Sequence, residues 1–146
     1  MPKPRQTRVP LDPLALKRRK PIPHEFVVDA IAALSPRTRS MFGCLAVYIE
    51  DKIVFCLRDK PIHTADNGVW LATTKDHHDS LRRELPNMRS IEVLGKNVTG
   101  WQILPVDAQD FEESALHVCD LILAGDSRIG KIPGARRTAK SKLEKR

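Results

Sequence analysis

The sequence predicts an α+β fold: one domain of order α-β(3)-α-β(2)-α, with a mostly antiparallel sheet and the helices packed on it. Three observations predict it. Between residues 39 and 57, two runs rich in Val, Ile, Tyr, Phe and Leu flank the polar triplet Glu50-Asp51-Lys52, the pattern of a β-hairpin. Between Phe111 and Leu123, apolar residues recur every three or four positions, the mark of an amphipathic helix. Helical and strand-like segments do not alternate strictly, which favours antiparallel pairing over a parallel sheet. At 146 residues the chain is the size of one ordinary domain and can bury about two-thirds of its unfolded surface without metals or disulfides.

The first helix begins at Pro23, with Pro in its first turn and Glu25 and Asp29 near the positive end of its dipole. Phe26, Val27, Ala30, Ile31 and Leu34 give it an apolar face, and Ser35-Pro36 ends it. The hairpin follows, with Gly43 just inside its first strand as the expected site of a bulge or close backbone approach. Arg58-Asp59-Lys60-Pro61 breaks the second strand, and Val69 to Thr73 reads as a third, completing a meander. Thr74, Lys75 and Asp76 start a second helix with Leu81 and Leu85 on one face and Pro86 as its stop. His77 and His78 are adjacent there, about 100° apart, so they read as surface residues rather than ligands to one metal. Met88–Leu94 and Trp101–Val106 form a second hairpin, with Pro105 at an edge or a strand end. Asp107 is the candidate N-cap of the last helix, whose apolar stripe is Phe111, Ala115, Leu116, Cys119, Ile122 and Leu123 and whose stop is Gly125.

Charge divides the chain into three segments. Residues 1–22 hold seven basic residues against Asp12 and residues 131–146 hold seven against Glu144, giving +6 in each, whereas residues 23–130 hold eleven basic and sixteen acidic residues, a balance of −5. The folded part is therefore acidic, and the net +7 of the chain belongs to two basic tails rich in Pro, Lys and Arg that are expected to be disordered. Five prolines in residues 1–22 discourage regular structure there. Lys17, Arg18, Arg19 and Lys20, with Arg136 and Arg137, are candidate phosphate contacts for weak, salt-sensitive binding of nucleic acid; the same residues also read as a solvated solubility tail. Aromatic residues are only 5% of the chain, which argues against a stacking platform for single strands.

Cys44, Cys56 and Cys119 have no C-x-x-C spacing, so neither a zinc site nor a disulfide framework is expected, and buried thiols are. Folding about Asp51 brings Cys44 and Cys56 to neighbouring positions, which leaves a redox-sensitive pair open. No apolar run approaches the ~20 residues of a membrane span, and no signal peptide follows the basic N-terminus, so a cytoplasmic protein without membrane contact is expected.

Arg39-Ser40-Met41-Phe42-Gly43-Cys44, followed by a Val-Tyr strand, an acidic turn and a second apolar strand, resembles the opening of the TfoX N-terminal domain family. That family carries an Arg-x-Met-Phe-Gly-Gly-like sequence; Leu104-Pro105-Val106-Asp107-Ala108 and the helix after it are also similar to it and to its YjbR-like relatives. The resemblance covers residues 23–125 and rests on Arg39, Met41, Phe42 and Gly43. It implies the same α-β(3)-α-β(2)-α order, no enzymatic activity, no cofactor, and regulation of competence genes together with a transcription factor of the cyclic-AMP receptor type. Cys44 departs from the family's second glycine, and a basic tail stands where full-length regulators have a helical domain, so a stand-alone module is expected.

No Gly-rich phosphate loop, His-Glu-x-x-His or Gly-x-Ser-x-Gly occurs. Gly125 to Lys131 resembles a phosphate loop only loosely and reads as a helix C-cap leading into the tail. The expectation is a non-enzymatic regulatory or protein-interaction module without a metal or cofactor, with binding of nucleic acid through the tails as the alternative. An uncovered sheet face or edge strand is where a homodimer would form.

Overall fold

A computed structural model describes residues 21–41, 43–93, 95 and 99–133. The architecture is α+β, and among the described residues the strands form one six-stranded antiparallel sheet. Helix α1 (Glu25–Ala30) runs into a 3-10 turn at Ala32–Leu34. Pro23 lies ahead of the helix, and His24, in left-handed backbone, occupies the N-cap. Strands β1 (Arg37–Met41), β2 (Cys44–Ile49), β3 (Lys52–Arg58) and β4 (Gly68–Leu71) form a meander. After a 3-10 turn at Lys75–His77 comes α2 (His78–Glu84), then β5 (Arg89–Ser90), β6 (Gln102–Pro105) and α3 (Phe111–Leu123). The strand order is β1-β2-β3-β4-β6-β5.

The meander has four strands where the sequence suggests three. Met41 pairs with Cys44, so the expected first strand is two strands joined by a tight turn. Gly43 sits in that turn at φ 73° rather than in a bulge, a conformation glycine adopts without a Cβ clash. The irregularity comes one strand pair later, between Val47 and Tyr48 of β2. Pro105 ends β6, where its missing amide interrupts no ladder.

The expected strand at residues 88–94 shrinks to Arg89–Ser90 because the amides of Glu92 and Val93 donate to Asp66 Oδ2, at 2.7 and 2.6 Å, and leave the ladder. Asp107 is not the N-cap of α3. Two turns, Ala108 N–H to Pro105 O and Phe111 N–H to Ala108 O, delay the helix, and Asp110 occupies the N-cap position without a side-chain capping bond. At its other end Gly125 (φ 77°) closes a Schellman motif, with Gly125 N–H donating to Ile122 O and Asp126 N–H to Leu121 O.

Side chains alternate across the strands, so each face of the sheet has its own apolar layer. On one face Val47, Phe55, Leu57, Val69, Leu71 and Leu104 meet Val27 and Ile31, Leu81 and Leu85, and Ala115, Val118, Cys119 and Ile122 of the helical segments. Within α3 the buried stripe includes Val118, while Leu116 and Leu123, expected inside, are exposed. On the other face Cys44, Ala46, Ile53, Cys56, Trp70, Ala72, Ile91 and Ile103 are buried together, with Met41, Tyr48 and Trp101 against them. The rings of Trp70 and Trp101 meet edge to face at 5.9 Å. Lys131, placed in the tail by composition, pairs with Ile53 in both directions at 2.8 and 2.9 Å. Among the described residues no helix is long and apolar enough to cross a membrane.

Candidate protein-interaction edge

β1 ends the sheet. It pairs with β2 on one side, and Arg37 to Ser40 are exposed. With two residues between Met41 and Cys44, the pairs Met41–Cys44, Arg39–Ala46 and Arg37–Tyr48 are the hydrogen-bonded ones of the hairpin. Thr38 and Ser40 then turn their amides and carbonyls away from β2, a ladder one strand wide that is open among the described residues.

The side chains of β1 alternate in chemistry as well. Arg37, Arg39 and Met41 share the face of Tyr48, Ala46 and Cys44. Arg37 is held: its guanidinium lies 6.0 Å from the centroid of the Tyr48 ring and donates to Glu50 O at 2.5 Å. The Arg39 side chain is exposed and, among the described residues, makes no hydrogen bond or ion pair. Met41 is half-buried against the second apolar layer. On the opposite face, beside Ser40, opens a cleft of about 440 Å³ lined in part by Gly43, Cys44, Leu45, Leu57 and Lys60.

The ground behind this edge is fixed by two buried charged groups. Arg58, 5% exposed at the end of β3, donates to the carbonyls of Ile62 and His63 at 3.0 and 2.7 Å and to Asn67 Oδ1 at 2.8 Å. Asn67 in turn accepts from Lys60 N–H and donates to Lys60 O, so residues 59–67 are tied at both ends. Asp66, 1% exposed, accepts from Arg89 Nη1 at 3.2 Å besides the two amides, and Arg89 Nη2 donates to Ala65 O. The Asp66 carbonyl takes the indole N–H of Trp70 at 2.9 Å.

The thiols are protonated at neutral pH. Burial pushes Cys56 and Cys119 up to about 12. Cys44 is also raised by burial, with the nearby Arg58 and Lys60 opposing the shift. Cys56 faces Ala46, two residues from Cys44, which makes the two thiols diagonal neighbours with Cα atoms about 7–8 Å apart, longer than the usual disulfide span.

A second polar cluster ties the segment after α3 to α2. Arg128 bonds Asp126 at 2.8 Å and Glu84 at 2.7 Å, and His117 meets Glu84 at 2.8 Å. The Arg128 bond holds the Asp126 carboxyl down at about 2, and the His117 and Arg128 bonds hold Glu84 below its ordinary value.

Of the residues singled out by sequence, Arg39 and Met41 come together on β1 and Gly43 forms the turn beside them. Phe42, Lys17, Arg18, Arg19, Lys20, Arg136 and Arg137 lie outside the described residues. His78 is not a surface residue. The 3-10 turn before α2 rotates it inward, where its Nε2 lies 3.1 Å from Gly100 O. Among the described residues no group of three or more His, Cys, Asp or Glu is arranged to hold a metal. Sequence reasoning missed Arg58, Asp66, Asn67 and Arg89; the one local signal was the turn-forming Asp66-Asn67-Gly68 run. Compared with known proteins, the chain matches no family model, no curated protein and no solved structure.

Proposed function

We propose that this protein is a cytoplasmic, non-enzymatic regulatory module that works by binding another protein, as the resemblance to the TfoX N-terminal domain implies. The observation that supports this reading is β1, where two residues of the resembling motif, Arg39 and Met41, stand on an exposed edge strand. The groups gathered there are suited to recognition: an exposed guanidinium, and outward amides and carbonyls. The partner class is a transcription regulator of the cyclic-AMP receptor type. Titration calorimetry of the full chain against such a regulator, with and without its DNA, tests the reading. Saturable binding that weakens in Arg39→Glu is expected; no heat at concentrations of about 100 μM would remove it.

A second reading is favoured by the separation of charge, +6 in each terminal segment against −5 between them. In it, Lys17 to Lys20, Arg136 and Arg137 bind phosphates. A mobility shift of DNA or RNA that weakens steeply from about 50 to 200 mM salt supports it. A shift that never forms at low salt rejects it.

A second copy is a weaker candidate for the β1 edge. Laid antiparallel about Thr38 or Arg39, it would set arginine against arginine, which is destabilising. Size measurement in solution decides this, with a monomer expected.

A further inference from the structure

Resting on the reading of β1 as the partner-binding edge, we propose that this edge takes an extended acidic segment of the partner by strand addition, with a carboxylate set against Arg39.

The backbone dictates the mode. Thr38 and Ser40 each present one amide and one carbonyl outward, two residues apart, and an extended segment satisfies all four groups at once. A helix or a globular surface would leave them to water. The far edge of the sheet offers much less, since β5 is two residues long.

The side chains dictate the chemistry. On one face an added strand lies beside Arg37 and Arg39, and β1 contains no acidic residue. Arg37 is engaged with Glu50 O and the Tyr48 ring, whereas the Arg39 guanidinium has no bond among the described residues. A residue of the segment opposite Arg39 is therefore favoured as Asp or Glu, which can accept two parallel N–H bonds. The next residue of the segment turns to the other face, toward Ser40 and the cleft, where Leu45 and Leu57 form an apolar floor and Asp59 and Lys60 oppose each other in sign. The segment that fits thus alternates acidic and apolar residues. Selectivity against basic segments follows from Arg39, since like charges placed opposite one another are destabilising.

The experiment uses the full chain and fluorescence anisotropy with a labelled peptide of alternating Glu and Val. Four comparisons are made: the same peptide N-methylated at alternate residues, a Lys-Val counterpart, the Arg39→Glu variant, and Arg39→Glu with the Lys-Val peptide. Binding of the Glu-Val peptide is expected to weaken at least tenfold on N-methylation and at least tenfold in Arg39→Glu, and the Lys-Val peptide is expected to bind the variant better than the parent chain. The Arg39 side chain is exposed and makes no bond among the described residues, so the variant should keep its melting temperature, which is checked alongside.

Equal binding of the N-methylated peptide overturns strand addition and leaves only charge attraction. Unchanged binding in Arg39→Glu overturns the role of Arg39, and no binding of the Glu-Val peptide overturns the proposal as a whole. A dimer in solution that protects the Thr38 and Ser40 amides overturns it in favour of a second copy. If a transcription regulator binds while no peptide does, the interaction reading stands and the β1 edge is not its site.

Discussion

Replacing Asp66 with asparagine tests whether a buried carboxylate organises the half of the domain behind the edge. The side chain is 1% exposed and receives three donors: Glu92 N–H at 2.7 Å, Val93 N–H at 2.6 Å and Arg89 Nη1 at 3.2 Å. Asparagine has nearly the same shape but one acceptor oxygen and two N–H donors. If its oxygen faces the two amides, its NH₂ confronts the Arg89 guanidinium; if it is flipped, two backbone donors lose their acceptor. Hydrogen bonds to a charged group contribute about 1.5–3 kcal/mol each and neutral ones about 1. In the first orientation, weakening two such bonds and losing the third should therefore cost about 3 kcal/mol, and the flipped orientation, which loses two, should cost at least as much. For a domain of this size that corresponds to a fall in Tm of roughly 10 °C. Urea denaturation gives the free energy, and amide exchange at Glu92 and Val93 gives its location. A loss below about 1 kcal/mol, or unchanged exchange at those two amides, would refute the claim that Asp66 ends β5 by capturing its backbone.

Other perturbations follow from the same geometry. Asp126 is depressed to about 2 from 3.8, so the unfolded chain binds the proton more readily, and the stabilisation is present above 3.8 and lost as pH falls through about 2. Arg128→Met should therefore melt below the parent chain at pH 6, by about 1 kcal/mol for a partly exposed pair, and the gap should close by pH 2 in thermal melts. At Gly68 (φ 148°) an added Cβ would lie 2.2 Å from Leu104 O, whereas at Gly125 (φ 77°) it meets nothing within 4 Å. Gly68→Ala should thus cost at least about 3 kcal/mol and Gly125→Ala about 1 kcal/mol from backbone strain alone, measured by urea midpoints. With all three thiols buried and raised, a disulfide reagent at pH 8 should react slowly with the native protein, fastest at Cys44 beside the cleft, and with all three on unfolding.

What the sequence made legible was what depends on neighbours in the chain. The stop at Gly125 and the stripe of Phe111, Ala115, Cys119 and Ile122 need only helical geometry, and both are present. The division between β1 and β2 was hidden because Met41, Cys44 and Leu45 continue one apolar run and a single glycine marks the turn. The shortening of β5 was out of reach for another reason: its cause, Asp66, lies 26 residues before Glu92. His78 turned inward through a 3-10 turn that a single Thr74 start signal does not announce. At the candidate edge Arg39 stood out as part of a motif. Which amides of β1 face outward depends on the pairing Met41–Cys44, and no local pattern encodes that.

The double-sided burial of the sheet has an energetic consequence for its edge. Phe55, Cys56, Val69 and Trp70 lose apolar contact on one face or the other when β3 or β4 opens, so those strands separate only with global unfolding. β1 is held by one ladder and a half-buried Met41, so lifting it uncovers little apolar area, at about 25 cal/mol per Å². Stability is thus graded along the sheet, with its least protected amides where a second strand would pair. An arriving strand would therefore register as slowed exchange confined to Thr38 and Ser40 and their β2 neighbours, and the outermost strand could be repositioned to fit it while the core stays closed.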